Sequence, residues 1–167
     1  MNKYQVDLPY PPTKISYECR EYGLMLLDNI GSCISEVGAI NLYTYNSIIT
    51  DANLKEVADT FHEVSIVEMH HLDMLSELCL LEGVEPRWWS CHQGQFRYWS
   101  PDFLHYSRDL RVLLQNAIQD EQSAIKQYQH QASIIQDPCI VRILERIILD
   151  EQYHIQLFHE LFCKYCK

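Results

Sequence analysis

The chain has 167 residues, 47% hydrophobic and 22% charged, an ordinary globular make-up with enough length for a core that needs no disulfides. Its 13 Lys+Arg against 23 Asp+Glu give a net charge of -10, which repels phosphate backbones and anionic lipid and so argues against nucleic-acid and membrane partners. No Gly-rich phosphate loop is present, no apolar run approaches the ~20 residues of a spanning helix, and the first seven residues lack the apolar centre of a signal peptide; a cytoplasmic protein whose seven cysteines are mostly idle thiols is expected.

Residues 1–17, with Pro9, Pro11 and Pro12, read as an extended arm ahead of one domain, 18–167. Helical periodicity then runs through about 18–48, 54–82, 106–135 and 138–165, with weak strand alternation everywhere. Gly23, Gly31 and Gly38 weaken the first helix. Asn53-Leu54-Lys55-Glu56 reads as a capping box opening the second, and Gly83 with Pro86 beyond it as the stop. Residues 83–105 form a Trp-rich link. Asp137-Pro138 reads as an N-cap and first helical residue. Short links within each pair and a long one between them predict an all-α, antiparallel four-helix bundle of two hairpins joined by a crossover.

The chain repeats itself. Glu36, Ala39, Ile40 and Tyr43 match Glu121, Ala124, Ile125 and Tyr128 at an offset of 85. Val57, Phe61, Val64, Glu68, His71, Leu72 and Leu75 match Ile140, Leu144, Ile147, Glu151, His154, Ile155 and Phe158 at an offset of 83. Two similar hairpins about a pseudo-twofold axis account for this.

At about 100° per residue, Glu68 and His71 share the apolar face of one helix, and Glu151 and His154 that of another. Glu36 and Glu121 lie on small-residue apolar faces of the remaining two. Counting outward from the turns puts all six at one height. Four carboxylates buried together would protonate or cost many kcal/mol unless cations neutralise them. No Lys or Arg lies on these faces near that height, whereas two divalent cations balance the charge. Carboxylate plus imidazole suits iron or manganese, with zinc also allowed. Each Glu-x-x-His pair would give a carboxylate and an imidazole, and Glu36 and Glu121 would complete or bridge the ion pair. A single Glu-x-x-His usually marks a solvated face. Two at matched heights, each with a partner Glu, favour a metal centre, the pattern known for di-metal bundles.

The sequence resembles the ferritin-like di-metal carboxylate superfamily, of the rubrerythrin, bacterioferritin and manganese-catalase kind, over about 18–165. The resemblance implies Glu36, Glu68, His71, Glu121, Glu151 and His154 as metal ligands, with Tyr43 and Tyr128 supporting them. Two departures stand out. Rubrerythrins proper carry an extra glutamate one turn after the third-helix ligand, where this chain has Ala124. They also carry a rubredoxin module with two Cys-x-x-Cys pairs, where this chain has only Cys163-Lys-Tyr-Cys166.

Among weaker signals, Asp150 is placed to orient a histidine of a neighbouring helix, His71 first, through its ring N–H. His62, Glu63, His70, Asp73 and His130 fall off the inner face. His92 reads as a loop histidine that could cover the site or bind metal, and more often does neither. Trp88, Trp89 and Trp99 read as packing the crossover onto the bundle or forming a dimer surface. Cys163 and Cys166 read as a fraying helix end, with a redox dithiol as the alternative.

The expected function is an oxidoreductase acting on hydrogen peroxide, or O2, through two divalent ions, iron first and manganese second. A di-iron peroxidase needs a separate electron-donor protein; a dimanganese catalase needs none. Ferroxidase or iron handling and a metal-stabilised interaction module without turnover are the alternatives. The chain ends soon after helix four, which disfavours a closed storage shell. A homodimer is expected.

Overall fold

The computed structural model describes residues 3–166. It holds α1 (Arg20–Gly31), α2 (Glu36–Thr50), α3 (Lys55–Leu81), β1 (Trp89–His92), β2 (Gln95–Tyr98), a 3-10 turn (Pro101–Phe103), α4 (Leu110–Ile134) and α5 (Pro138–Tyr165). α2 pairs with α3 and α4 with α5, in two antiparallel hairpins joined by residues 82–109. This is the expected four-helix bundle.

The first helix is not continuous. It stops at Gly31 and restarts after Ser35, whose hydroxyl caps α2 by accepting from the Gly38 N–H. The strand hairpin forces the stop: the Trp88-Trp89 backbone lies so close to Gly31 that a Cβ there would collide with it. The stretch Arg20–Thr50 is the most apolar helical segment, with a window of mean hydropathy 1.2. In the fold that stretch is broken into two and buries Asn29, Glu36 and Asn46, so it reads as a core element.

Three further expectations need correction. The link contains a two-stranded antiparallel hairpin, turned by Gln93 (φ 50°) and Gly94 (φ 76°), the geometry of a two-residue primed turn. The Asn53 capping box is not made: α3 opens at Leu54 with no side-chain cap, and Glu56 accepts from Lys164 and Tyr165 of α5 instead. The third helix begins at Leu110 behind the Asp109 cap rather than at 106.

The other boundary signals hold. Gly83 (φ 71°) ends α3, with Gly83 N–H donating to Leu80 O and Val84 N–H to Cys79 O, the paired bonds of a glycine helix stop. Asp137 caps α5 by accepting from the Cys139 N–H at 2.7 Å. Trp89 packs on the core and Trp99 is half-buried, while Trp88 stays exposed.

The apolar core comes in two blocks. One gathers Leu26, Leu27, Ile30, Leu75, Leu78, Ile140 and Leu144; the other gathers Leu42, Phe61, Val64, Leu114, Phe158 and Leu161. Between them lie the buried polar residues of the next section.

The arm is not a loose tail. Ser16 donates from its backbone and hydroxyl to Asp137, and residues 3–10 run back along α5 toward Tyr153.

Candidate metal centre

α2, α3, α4 and α5 each direct polar side chains into the gap between the two apolar blocks. Glu36 starts α2, Glu121 sits mid-way along α4, and Glu68–His71 and Glu151–His154 lie one turn apart on α3 and α5. All six residues expected from the sequence come together, each at most 3% exposed. They form two overlapping clusters, Glu36–Glu68–His71–Glu151 and Glu68–Glu121–Glu151–His154, with one candidate ligand atom per residue within 4.8 Å of the others.

Glu68 and Glu151 belong to both clusters. His71 Nδ1 lies 2.9 Å from Glu68 Oε2, 3.3 Å from Glu151 Oε1 and 4.0 Å from Glu36 Oε2. His154 Nδ1 lies 3.0 Å from Glu68 Oε1, 3.0 Å from Glu151 Oε2 and 3.7 Å from Glu121 Oε1. Each of the two central carboxylates thus offers one oxygen to either side. Glu68 and Glu151 face both clusters, while Glu36 and Glu121 each face one.

The donor set fits two cations. Each Nδ1 faces three carboxylates, and a single N–H cannot serve three acceptors. Glu68 Oε1 is buried without a hydrogen bond. A divalent ion at each position would satisfy all of these oxygens, and carboxylate with imidazole is the set that iron, manganese and zinc accept.

The electrostatics show the strain of the same groups without ions. Burial, together with the charges of Glu68 and Glu151, pushes Glu36 and Glu121 well above the usual carboxylate range. Burial acts against ionised histidine, yet the surrounding carboxylates, Glu151 for His71 and Glu68 for His154, raise both imidazoles well above 6.5. Burial would also raise Glu68, but His154 and His71 hold it at about 2. Cations among these carboxylates would relieve the repulsion that raises Glu36 and Glu121.

The two tyrosines cross over. Tyr43 of α2 donates to Glu121 Oε1 on α4 at 2.6 Å, and Tyr128 of α4 donates to Glu36 on α2. Each tyrosine lies two turns along from the glutamate of its own helix, and the bundle delivers its hydroxyl to the opposite one.

Each imidazole also has an outer partner. His71 Nε2 lies 3.1 Å from Asp150 Oδ2, the expected pairing. Asp150 also accepts from Tyr10 OH at 2.5 Å and from the Val6 N–H at 2.8 Å, and pairs with Arg146 at 2.7 Å. His154 Nε2 lies 3.1 Å from the Tyr4 carbonyl. Tyr4, Tyr10 and Arg146 were not legible as site residues. Arg146 is a buried cation behind the centre, bound to Asp150 and the arm and not facing the cluster, and only its four-residue spacing from Asp150 hinted at a pair.

A cavity of about 380 Å³ runs from the surface to the cluster between α2 and α4, roofed by residues 102–105. Glu36, Glu121, Glu151, Tyr43 and Tyr128 reach it, and Ala39, Leu42, Leu104 and Ala124 form apolar wall. Glu68 lies on the far side. His62, His70, Asp73, His92 and His130 are exposed and Glu63 half-buried, none in the cluster. Cys163 and Cys166 are free thiols at the end of α5, as are the other five cysteines.

Fold and cluster together define a ferritin-like helical bundle with a carboxylate–histidine centre. The rubrerythrin family model matches residues 30–162, and the chain belongs to the rubrerythrin family. The fold is similar to that of KatB, a manganese catalase from Anabaena (TM-score 0.84, 19% identity, 98% of this chain and 80% of that one). It is also similar to bacterioferritin BfrA from Mycobacterium tuberculosis (TM-score 0.71, 25% identity, 89% and 90%). A third is a dodecameric thioferritin from Bacteroides fragilis (TM-score 0.69, 21% identity, 89% of each chain). No curated protein sequence matches the chain.

Proposed function

We propose that the protein is a di-metal oxidoreductase that reduces hydrogen peroxide, or O2, at a centre held by Glu36, Glu68, His71, Glu121, Glu151 and His154. Iron is the first choice of metal and manganese the second. The observation that carries this reading is the sharing of Glu68 and Glu151 between two clusters, at the foot of a cavity that reaches Glu36, Glu121 and Glu151 from solvent. Membership of the rubrerythrin family supports it.

Two such ions, when bound, supply the electrons that an O–O bond takes up on reduction. The chain's own residues do the rest. Glu68 and Glu151 set the spacing of the two positions. Tyr43 and Tyr128 hold Glu121 and Glu36 by hydrogen bonds and present two hydroxyl protons at the cavity wall. The apolar wall limits the water that reaches the cluster, which strengthens each charge interaction there. A separate electron-donor protein would re-reduce a di-iron centre.

A dimanganese catalase is the second reading. It needs no electron donor, and the near-symmetric ligand set with Ala124 in place of the extra glutamate of rubrerythrins proper suits either reading. Metal analysis followed by stopped-flow mixing with peroxide separates the two. About two irons per chain oxidised by peroxide without sustained O2 release supports the peroxidase; two manganese ions with steady O2 evolution supports the catalase. Zinc, or no metal and no reaction, rejects both in favour of a metal-stabilised module. Iron taken up and mineralised supports iron handling. A homodimer is the proposed assembly, checked by native mass measurement.

A further inference from the structure

The inner ring of the centre is nearly symmetric, but the groups behind it are not. By the 83-residue offset, Asp150 on α5 corresponds to Val67 on α3. Asp150 gives His71 Nε2 a carboxylate oxygen at 3.1 Å. Val67 can give His154 nothing, and the arm fills the gap: the Tyr4 carbonyl stands 3.1 Å from His154 Nε2. One imidazole therefore leans on an anion and the other on a neutral amide.

The arm is fastened for this. Tyr153 OH donates to the Lys3 carbonyl at 3.2 Å, on one side of Tyr4. On the other, Arg146 donates to the Val6 and Leu8 carbonyls at 2.9 Å each. Tyr4 itself is buried, in the same apolar block as Val67. Tyr10 then returns to the His71 side, its hydroxyl on Asp150 and its ring edge-on to the imidazole at 6.2 Å.

We infer that residues 4–10 are a positioning element of the metal centre, that the Tyr4 carbonyl stands in behind His154 for the carboxylate that Asp150 gives His71, and that this exchange of a charge for a neutral amide leaves the two metal positions unequal. A carboxylate behind a ligating histidine raises the basicity of the ring and fixes its orientation, and losing such a partner costs about 10- to 100-fold in metal affinity. The Glu36–His71 position is the tighter, filled first. The Glu121–His154 position is the weaker, and its strength depends on the arm. This rests on the metal-centre reading above.

The test uses the metal-free full-length protein titrated with cobalt(II), followed by calorimetry and visible absorption. Proton NMR of the cobalt protein then follows the two shifted, exchangeable imidazole N–H signals. The wild type takes up cobalt in two steps at least ~10-fold apart. Asp150→Asn, which keeps an acceptor and removes the charge, weakens the first step and leaves the second. Deletion of residues 1–4, which removes the Tyr4 carbonyl and leaves the Val6 amide on Asp150 and the Val6 and Leu8 carbonyls on Arg146, weakens the second step and speeds solvent exchange of one N–H signal only. A single step in the wild type, or either variant moving both steps alike, overturns the inference while leaving the metal centre intact. If the shortened chain does not fold, Asp150→Asn decides alone, since an unmoved first step is sufficient to overturn it. A wild type that takes up no cobalt rejects the metal centre itself, and the inference with it.

Discussion

The two hairpins place the same chemistry on different scaffolds. In α4–α5, Glu121 sits within an unbroken helix and α5 opens on a capped Asp137. In α2–α3, Glu36 is the first residue of a helix restarted after a break, and α3 opens at Leu54 with no side-chain cap. Yet the inner residues form two matching clusters that share Glu68 and Glu151, with each tyrosine reaching across to the other hairpin's glutamate. The ring constrains only the atoms that face the cluster. The backbone behind them is free to diverge wherever neighbouring packing, such as the strand hairpin against Gly31, demands it.

The largest expected effects break the ring at its shared members. Glu68→Ala combined with Glu151→Ala should abolish stoichiometric metal binding, because both positions lose a bridging oxygen. Glu36→Gln and Glu121→Gln should each lower metal content toward one ion per chain, from opposite halves. Metal analysis after dialysis reads both; two tightly held ions in the double variant would reject the assignment.

Next in size is the pH dependence, which should run in opposite directions with and without metal. Glu36, Glu121, His71 and His154 all have folded pKa values raised above their unfolded ones. Their contributions to the metal-free protein are therefore fully present below about 4.5 for the glutamates and 6.5 for the histidines, and are lost as pH rises through the folded values. Glu68 runs the other way, its contribution disappearing only as pH falls from about 4.5 toward about 2. The metal-free protein should thus melt at lower temperature at pH 8 than at pH 5.5. The metal-loaded protein should gain over the same interval, because binding requires the ligands deprotonated. For a chain this long, 1 kcal/mol reads as about 2–4 °C. Parallel slopes for the two forms would show that these groups do not sit where the cations bind.

Tyr43→Phe and Tyr128→Phe sharpen the crossing itself. Each removes one buried hydrogen bond to a carboxylate, worth about 1.5–3 kcal/mol. Tyr43→Phe should disturb the Glu121–His154 position and Tyr128→Phe the Glu36–His71 position. Site-resolved cobalt spectra giving the reverse pattern would contradict the observed pairing.

These two tyrosines also show what the sequence could and could not reveal. Period, spacing and the repeat were enough to bring six residues to one height and to put the tyrosines on the inner face, because those depend on helical geometry alone. The exchange of tyrosines between hairpins depends on how the hairpins dock, which no local spacing encodes. The same holds for the arm: Tyr4 contributes a backbone carbonyl, a group every residue carries, so no side-chain pattern marks it. Asp150 was legible because it directly precedes Glu151 on the same helix. The break before Glu36 was foreshadowed only by Gly31 and Ser35, and the hairpin by Gln93-Gly94, which lacked a strong alternation on either side.

The smallest predicted difference returns to the turns of the two hairpins. Asp137 accepts from Cys139 N–H at 2.7 Å and from the Ser16 hydroxyl at 2.9 Å, so it both caps α5 and pins the arm. Asp137→Ala should cost about 0.5–2 kcal/mol, the range for a lost N-cap. Asn53 makes no cap to α3, so Asn53→Ala should stay within about 0.5 kcal/mol of wild type. Urea unfolding of the metal-free variants compares the two directly. Equal losses would mean that the α3 turn is held by its side chain after all, and that the hairpins are more alike than their backbones indicate. The expected inequality leaves the α2–α3 turn held by packing and by the Glu56 contacts with Lys164 and Tyr165 from the end of α5.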